Sequence, residues 1–225
     1  LYAPQWLPWT AKYLNWEGLE MTAWCLHAHS HNYFDLQKES ELGKYTSVTP
    51  QDFQDGAVDI AWFKEAFSTL GESRFQQVYE AAHYICDNQG YIRARVYADA
   101  ILGKLTLEDC KKRVLEKRNK DYLVAIGLLA LKSSPSEPSG MAEILEIYKF
   151  IQDFKKSGKD VGQQRQASEK RSCELAMENL ARNAGYPDPI RLTWAMETLD
   201  IQELMKKVQT INIDDTKIEL QVNSL

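Results

Sequence analysis

Residues 162–189, GQQRQASEKRSCELAMENLARNAGYPDP, constrain the chain most, because they read as one long helix whose apolar stripe stops halfway. Cys173, Met177, Leu180 and Ala184 recur at helical spacing. Carried backwards, the same face meets Lys170 and Gln166, flanked by Arg165, Glu169 and Arg171. Burying charge is unfavourable unless each group finds a partner, so these residues face solvent, pair with one another or surround a ligand. Gly185 supplies the stop, and Asp188-Pro189 supplies the cap and first turn of a further helix carrying Leu192, Ala195 and Leu199.

Helix signals recur upstream. Asn15 is placed to cap a helix running through Trp24 and Leu26 to about Ser30; Thr49-Pro50 with Asp52 marks another start; Asp59 opens a helix that Gly71 ends. Phe75, Val78, Tyr79, Ala82 and Cys86 give the cleanest amphipathic stripe. Asn88–Gly90 reads as a short link, and Thr106 with Asp109 as a capping box. Tyr122, Ile126 and Leu129 define a buried helix. The Ser/Pro-rich stretch 133–140 is a linker too short to separate independent domains, and Ile144, Leu145, Tyr148, Ile151 and Phe154 resume the helical pattern.

Only the end differs. Alternation through Val208, Thr210 and Asn212, then Ile218, Leu220 and Val222, predicts a β-hairpin around Asp214-Asp215. The expected fold class is therefore all-α: antiparallel helix pairs in a HEAT-like or irregular helical array over 1–207, with 208–225 a small C-terminal β-hairpin or the start of a following segment. Helix pairs recur at roughly the 40-residue period of HEAT-like repeats. The beginning at Leu1 suits a fragment of a larger protein.

Composition narrows the class. With 44% apolar and 11% aromatic residues over 225 positions, the chain is equipped to bury a core. Its longest apolar run, Tyr122–Leu131, is about half of the roughly 20 residues that a membrane span needs, so no membrane association is expected. Cys25, Cys86, Cys110 and Cys173 show no paired spacing and lie on apolar helical stripes, which suits small core residues and a cytoplasmic setting. Residues 1–90 hold five basic and twelve acidic side chains, whereas Lys104–Lys120 holds seven basic against three acidic. Within that segment Lys111, Lys112, Arg113, Lys117 and Arg118 form a candidate basic surface for nucleic acid or an acidic partner.

Three constellations could carry chemistry. His27 and His31 share a helical face at a metal-chelating spacing, with Asp35 a turn further, but Ala28 stands where zinc proteases have a glutamate; histidines that hydrogen-bond at a helix end near Tyr33 and Phe34 outweigh a metal site, and no metal is expected. Trp6, Trp9, Trp16 and Trp24 crowd the amino-terminal quarter, where core packing outweighs an aromatic cage. The polar half of the long helix could bind an anion, or use Glu169 as an acid or base; ion pairing, including the i to i+4 pair Glu178–Arg182, competes. No phosphate-binding Gly-rich loop, nucleophile elbow or paired-Cys motif occurs, so no cofactor is expected.

The strings QRQASEKR and ENLARNAGYPDPIRLTWAMET, with LYAPQW, WEGLEMTAWCLHAH, DGAVDIAWF and ADAILGKLT, resemble large bacterial proteins labelled molybdate metabolism regulator-like, in a domain of unknown function with helical repeats. The resemblance spans nearly the whole chain. It implies a long helical-repeat protein, in some members with a small WGR module at the amino terminus, and it carries over neither a catalytic residue nor a molybdenum cofactor. Its motif falls on Gln164, Arg165, Glu169, Lys170, Arg171, Glu178, Asn179, Arg182, Tyr186 and Asp188, which become candidate binding residues. The functional expectation is a binding or scaffold region with protein partners, the rest of its own chain included. Nucleic-acid association through 104–120, and an enzyme or ligand-controlled switch on helix 162–184, are the alternatives.

Overall fold

A computed structural model describes residues 6–30, 35–84, 88–158, 162–206, 210–213 and 216–219. Among these, twelve helices occur in chain order: α1 (Trp6–Leu14), α2 (Leu19–Ser30), α3 (Leu36–Leu42), α4 (Pro50–Asp55), α5 (Ile60–Leu70), α6 (Glu72–Ala82), α7 (Asn88–Ile101), α8 (Leu107–Lys117), α9 (Lys120–Ile126), α10 (Pro138–Ser157), α11 (Gln163–Asn183) and α12 (Pro189–Lys206). The mostly helical character agrees with the sequence pattern, and local chemistry sets many of the boundaries. Thr49 and Asp59 accept from backbone N–H groups three residues on, at the starts of α4 and α5. Thr106 and Asp109 form a reciprocal capping box on α8.

One continuous apolar core runs through the described residues, organised on two helices. Helix α2 packs against α4, α5, α6 and α7, while α11 packs against α4, α9, α10 and α12. The contact between α4 and α11 joins segments more than a hundred residues apart. Beside it, the loop Gly56–Asp59 is drawn inward, with Ala57 and Val58 buried. Its backbone is satisfied there by the Asn179 side chain, whose Oδ1 accepts from Val58 N at 3.4 Å. Gly56 has a φ of 109°, and a Cβ on it would lie 2.9 Å from the Tyr97 hydroxyl.

The end of α9 approaches the backbone of α11 closely. A methyl group on Gly127 would overlap the Ala176 carbonyl oxygen and lie 2.9 Å from Leu180 N. Only glycine fits at this approach, and Gly127 closes α9 as its C-cap. The apolar run Tyr122–Leu131 is thus helical only to Ile126; Leu123 to Leu129 are buried, whereas Ala130 is exposed. Asn183 Nδ2 donates to the carbonyl of Leu129 at 2.7 Å, replacing part of the lost ladder.

Other expectations are corrected. Asn15 does not cap α2; with φ 51° it closes α1, a helix the apolar pattern alone did not reveal, and Trp16 N donates back to Ala11 O. Asparagine tolerates this left-handed conformation better than most residues. Asn88–Gly90 is the first turn of α7 rather than a link, a position where N–H groups have no intrahelical partner to lose. Trp24 is buried and Trp16 packs on the core with Arg74 over its ring, but Trp6 and Trp9 are exposed. The segment 208–225 lies mostly outside the described residues; backbone pairing is described for β1 (Thr210–Ile213) with antiparallel β2 (Thr216–Glu219), and the helical architecture is what the structure establishes.

Candidate functional site

Arg165, Glu169 and Arg171 of the polar half of α11 are engaged in ion pairs, within the helix and to Arg118 and α4. Helix α8 ends at Arg118, whose φ of 47° reverses the backbone before Asn119 caps α9 with two hydrogen bonds. That reversal sends the Arg118 guanidinium onto α11. Its Nε donates to Glu169 Oε1 at 2.8 Å and its Nη2 to Oε2 at 2.6 Å, the two-pronged geometry that suits a carboxylate. Arg165 Nε adds a third donor at 3.0 Å, and Lys120 Nζ donates to the neighbouring Ser168 Oγ. The Arg118 guanidinium also lies over the Phe154 ring of α10 at 4.5 Å.

Glu169 is 4% exposed, and the two arginines hold its carboxyl below the usual range, Arg118 contributing most. A carboxylate so saturated with donors has little capacity left to take a proton from a substrate. Acid–base chemistry at Glu169 therefore has no geometric support here.

A second network is centred about 15 Å further along α11, at the helical rise of about 1.5 Å per residue. It begins at Arg171, whose Nε and Nη2 donate to Asp55 Oδ2 at 3.1 and 2.8 Å, with Asp52, Glu178 and Glu174 within 3.9 Å. Arg182 extends it through Glu178 at 3.7 Å. Asn179, fully buried between this network and the Gly56–Asp59 loop, accepts from Val58 N and Arg182 but leaves its own Nδ2 without a hydrogen-bond partner.

The ten residues expected on this helix and its exit thus do not converge. Arg165 and Glu169 belong to the first network; Arg171, Glu178, Asn179 and Arg182 to the second. Asp188 caps α12, accepting from Arg191 N at 2.8 Å, and Tyr186 packs on the core with its hydroxyl 3.8 Å from Met141 Sδ. Gln164 and Lys170 are exposed. Between α10, α11 and α12 lies a cleft of about 300 Å³, floored by Ile151, Cys173 and Met177 and rimmed by Lys155 and Glu174. Neither Arg165 nor Glu169 lines it.

The basic segment is also reorganised. Arg118 points inward, which corrects its placement on a basic surface, and Lys111 bonds Glu146 and Glu108 against the Phe150 ring. Lys112, Arg113 and Lys117 are left exposed, Arg113 lying over Tyr122. Sequence reasoning missed Arg118 and Asp55 as partners of α11, and no local signal marks either.

Of the histidine constellation, only His27 and His29 lie among the described residues. His31 lies outside the described residues, and among those described no group of three or more metal-binding side chains assembles. His27 meets the Trp24 ring edge-on. His29 is buried, donates from Nδ1 to Cys25 O at 2.6 Å and lies edge-on to Phe53. Cys25 Sγ is 3.7 Å from the same nitrogen, a spacing that suggests a nucleophile and base. Burial reverses that logic. It pushes the Cys25 thiol far above its ordinary range and His29 down to about 4, so neither group is activated.

A family of unknown function (DUF5724) matches the chain over residues 1–196, and the chain belongs to it. No curated protein and no solved structure matches.

Proposed function

For a member of a family of unknown function, we propose a role in protein binding, as a scaffold region rather than a catalyst. One observation carries this reading. Most charged groups of α11 are engaged in ion pairs within the helix or to Arg118 and α4, whereas α12 turns large apolar side chains outward: Ile190, Trp194, Ile201, Leu204 and Met205 are each roughly half exposed or more. A stripe of exposed apolar side chains of this kind marks interaction sites. The cleft beside Ile190 extends the same surface onto α10 and α11.

The helices suit an irregular array better than a HEAT-like stack, since α4 reaches α11 and repeat stacks confine contacts to neighbours. Segment 208–225 is read as a hairpin or the opening strands of a further segment. The resemblance to molybdate metabolism regulator-like proteins supports a cytoplasmic regulatory assembly as the setting. No helix among the described residues is long and apolar enough to cross a membrane.

The test is site-specific photo-crosslinking in the native host from position 194, with position 112 on the basic surface as comparison. Crosslinks to protein at 194 and none at 112 are expected. Nucleic acid captured at 112, with affinity that falls steeply with salt, would replace this reading with the nucleic-acid one.

A further inference from the structure

We infer that the apolar face of α12 pairs with the same face of a second copy of this chain, the two helices running antiparallel. This rests on the protein-binding reading and names the partner. At 100° per residue, Ile190, Trp194, Ile201, Leu204 and Met205 fall within one stripe about 100° wide, opposite the face on which Leu192 and Met196 are buried. One helix therefore carries two apolar faces, and only one of them is packed on the core of the described residues.

The spacing selects the occupant. Positions 190, 194, 201 and 205 are symmetric about a point between Glu197 and Thr198. An antiparallel copy centred there sets Ile190 against the partner's Met205 and Trp194 against the partner's Ile201, and the twofold axis repeats both contacts. Such a self-complementary patch is what an isologous dimer requires. The exposed aromatic face of α1, Trp6, Trp9 and Tyr13, spans only about 10 Å, against about 22 Å for the α12 stripe, and matches it poorly.

Size permits it. The five side chains expose from 46% to 64% of their surface. With about 150–250 Å² for the one aromatic side chain and less for each of the four aliphatic ones, that is at most roughly 600 Å² per copy. The pair would bury up to about 1,200 Å², the lower limit of a specific interface.

Glu197 marks the register. It lies on the stripe beside the axis, where it accepts a hydrogen bond from Tyr148 of its own chain. Pairing brings the two Glu197 carboxylates towards each other, a like-charge contact that weakens the dimer.

Sedimentation equilibrium of the full chain tests this. A reversible dimer is expected at micromolar concentrations. Trp194→Glu and Ile201→Glu should each weaken it by about tenfold or more, while Glu197→Gln should tighten it. Both glutamate variants alter exposed positions, and circular dichroism checks that they fold. A cysteine at position 197 should form a covalent dimer under mild oxidation, and one at position 112 should not. A monomer at about 100 µM, or a dimer indifferent to both glutamate variants, overturns the inference. If that monomer still crosslinks other proteins from position 194, protein binding stands and only the second copy falls; if position 194 captures nothing, both fall.

Discussion

Arg118 and Glu169, 51 residues apart in the chain, are joined by two hydrogen bonds at the meeting of α8, α10 and α11. Removing one member of a buried pair leaves the other uncompensated. Because Arg118 and Arg165 retain some access to water, Glu169→Gln should cost about 2 kcal/mol rather than the larger values of fully buried pairs. Urea denaturation of Glu169→Gln, Arg118→Ala and the double variant checks this. A double variant no less stable than either single one locates the loss in the pair.

Arg171 should behave differently. Its partners Asp52, Asp55, Glu174 and Glu178 are all partly exposed, as is Arg171 itself. Arg171→Ala is expected to cost less than about 1 kcal/mol and to lose that effect in high salt. A loss as large as that of Glu169→Gln, unchanged by salt, would contradict this ranking.

Gly127 admits no side chain, since its neighbours are the backbone of α11 rather than movable side-chain ends. Gly127→Ala should cost about 3 kcal/mol or prevent folding. Gly43→Ala, where a methyl group meets only ordinary contacts, should be close to neutral. Thermal melts of the two variants give the comparison.

Acid should destabilise the fold through His29. Burial lowers its folded-state pKa from 6.5 to about 4, so the unfolded chain takes up the proton first as pH falls. The stabilisation is complete above pH 6.5 and drains away towards pH 4, at no more than about 1.4 kcal/mol per pH unit. Glu169, whose carboxyl is depressed by Arg118 and Arg165, adds a loss of the same sign at lower pH. His29→Gln should flatten the change in unfolding midpoint between pH 6.5 and pH 5. An unchanged slope would show that another group titrates.

What the chain revealed in advance was local. Thr49, Asp59, Thr106 and Asp188 act within three residues of themselves, so their spacing reads directly as a helix start. The polar interruption at Glu169 was equally visible, and pairing was among its possible explanations. Its main partner was hidden. Arg118 belongs to a run of lysines and arginines that looks like one basic face, and only the left-handed backbone at Arg118 separates it from the others. Asn15 misled for the converse reason: a good cap residue is also a good left-handed residue, and α1, which has no buried side chain, gave no pattern to decide between them. Asp55 and Asn179 act across more than a hundred residues, where sequence spacing carries no information.

The bond from Val58 to Asn179 bears on how this protein could be dissected. An expression boundary placed in the Ser/Pro-rich stretch 133–140 looks safe, yet the amino-terminal product would lack the side chain that closes over the inward loop. Its Val58 amide would lose that acceptor beneath a hydrophobic wall newly open to water. Such a truncation should aggregate, whereas two halves co-expressed as separate chains should find each other and refold.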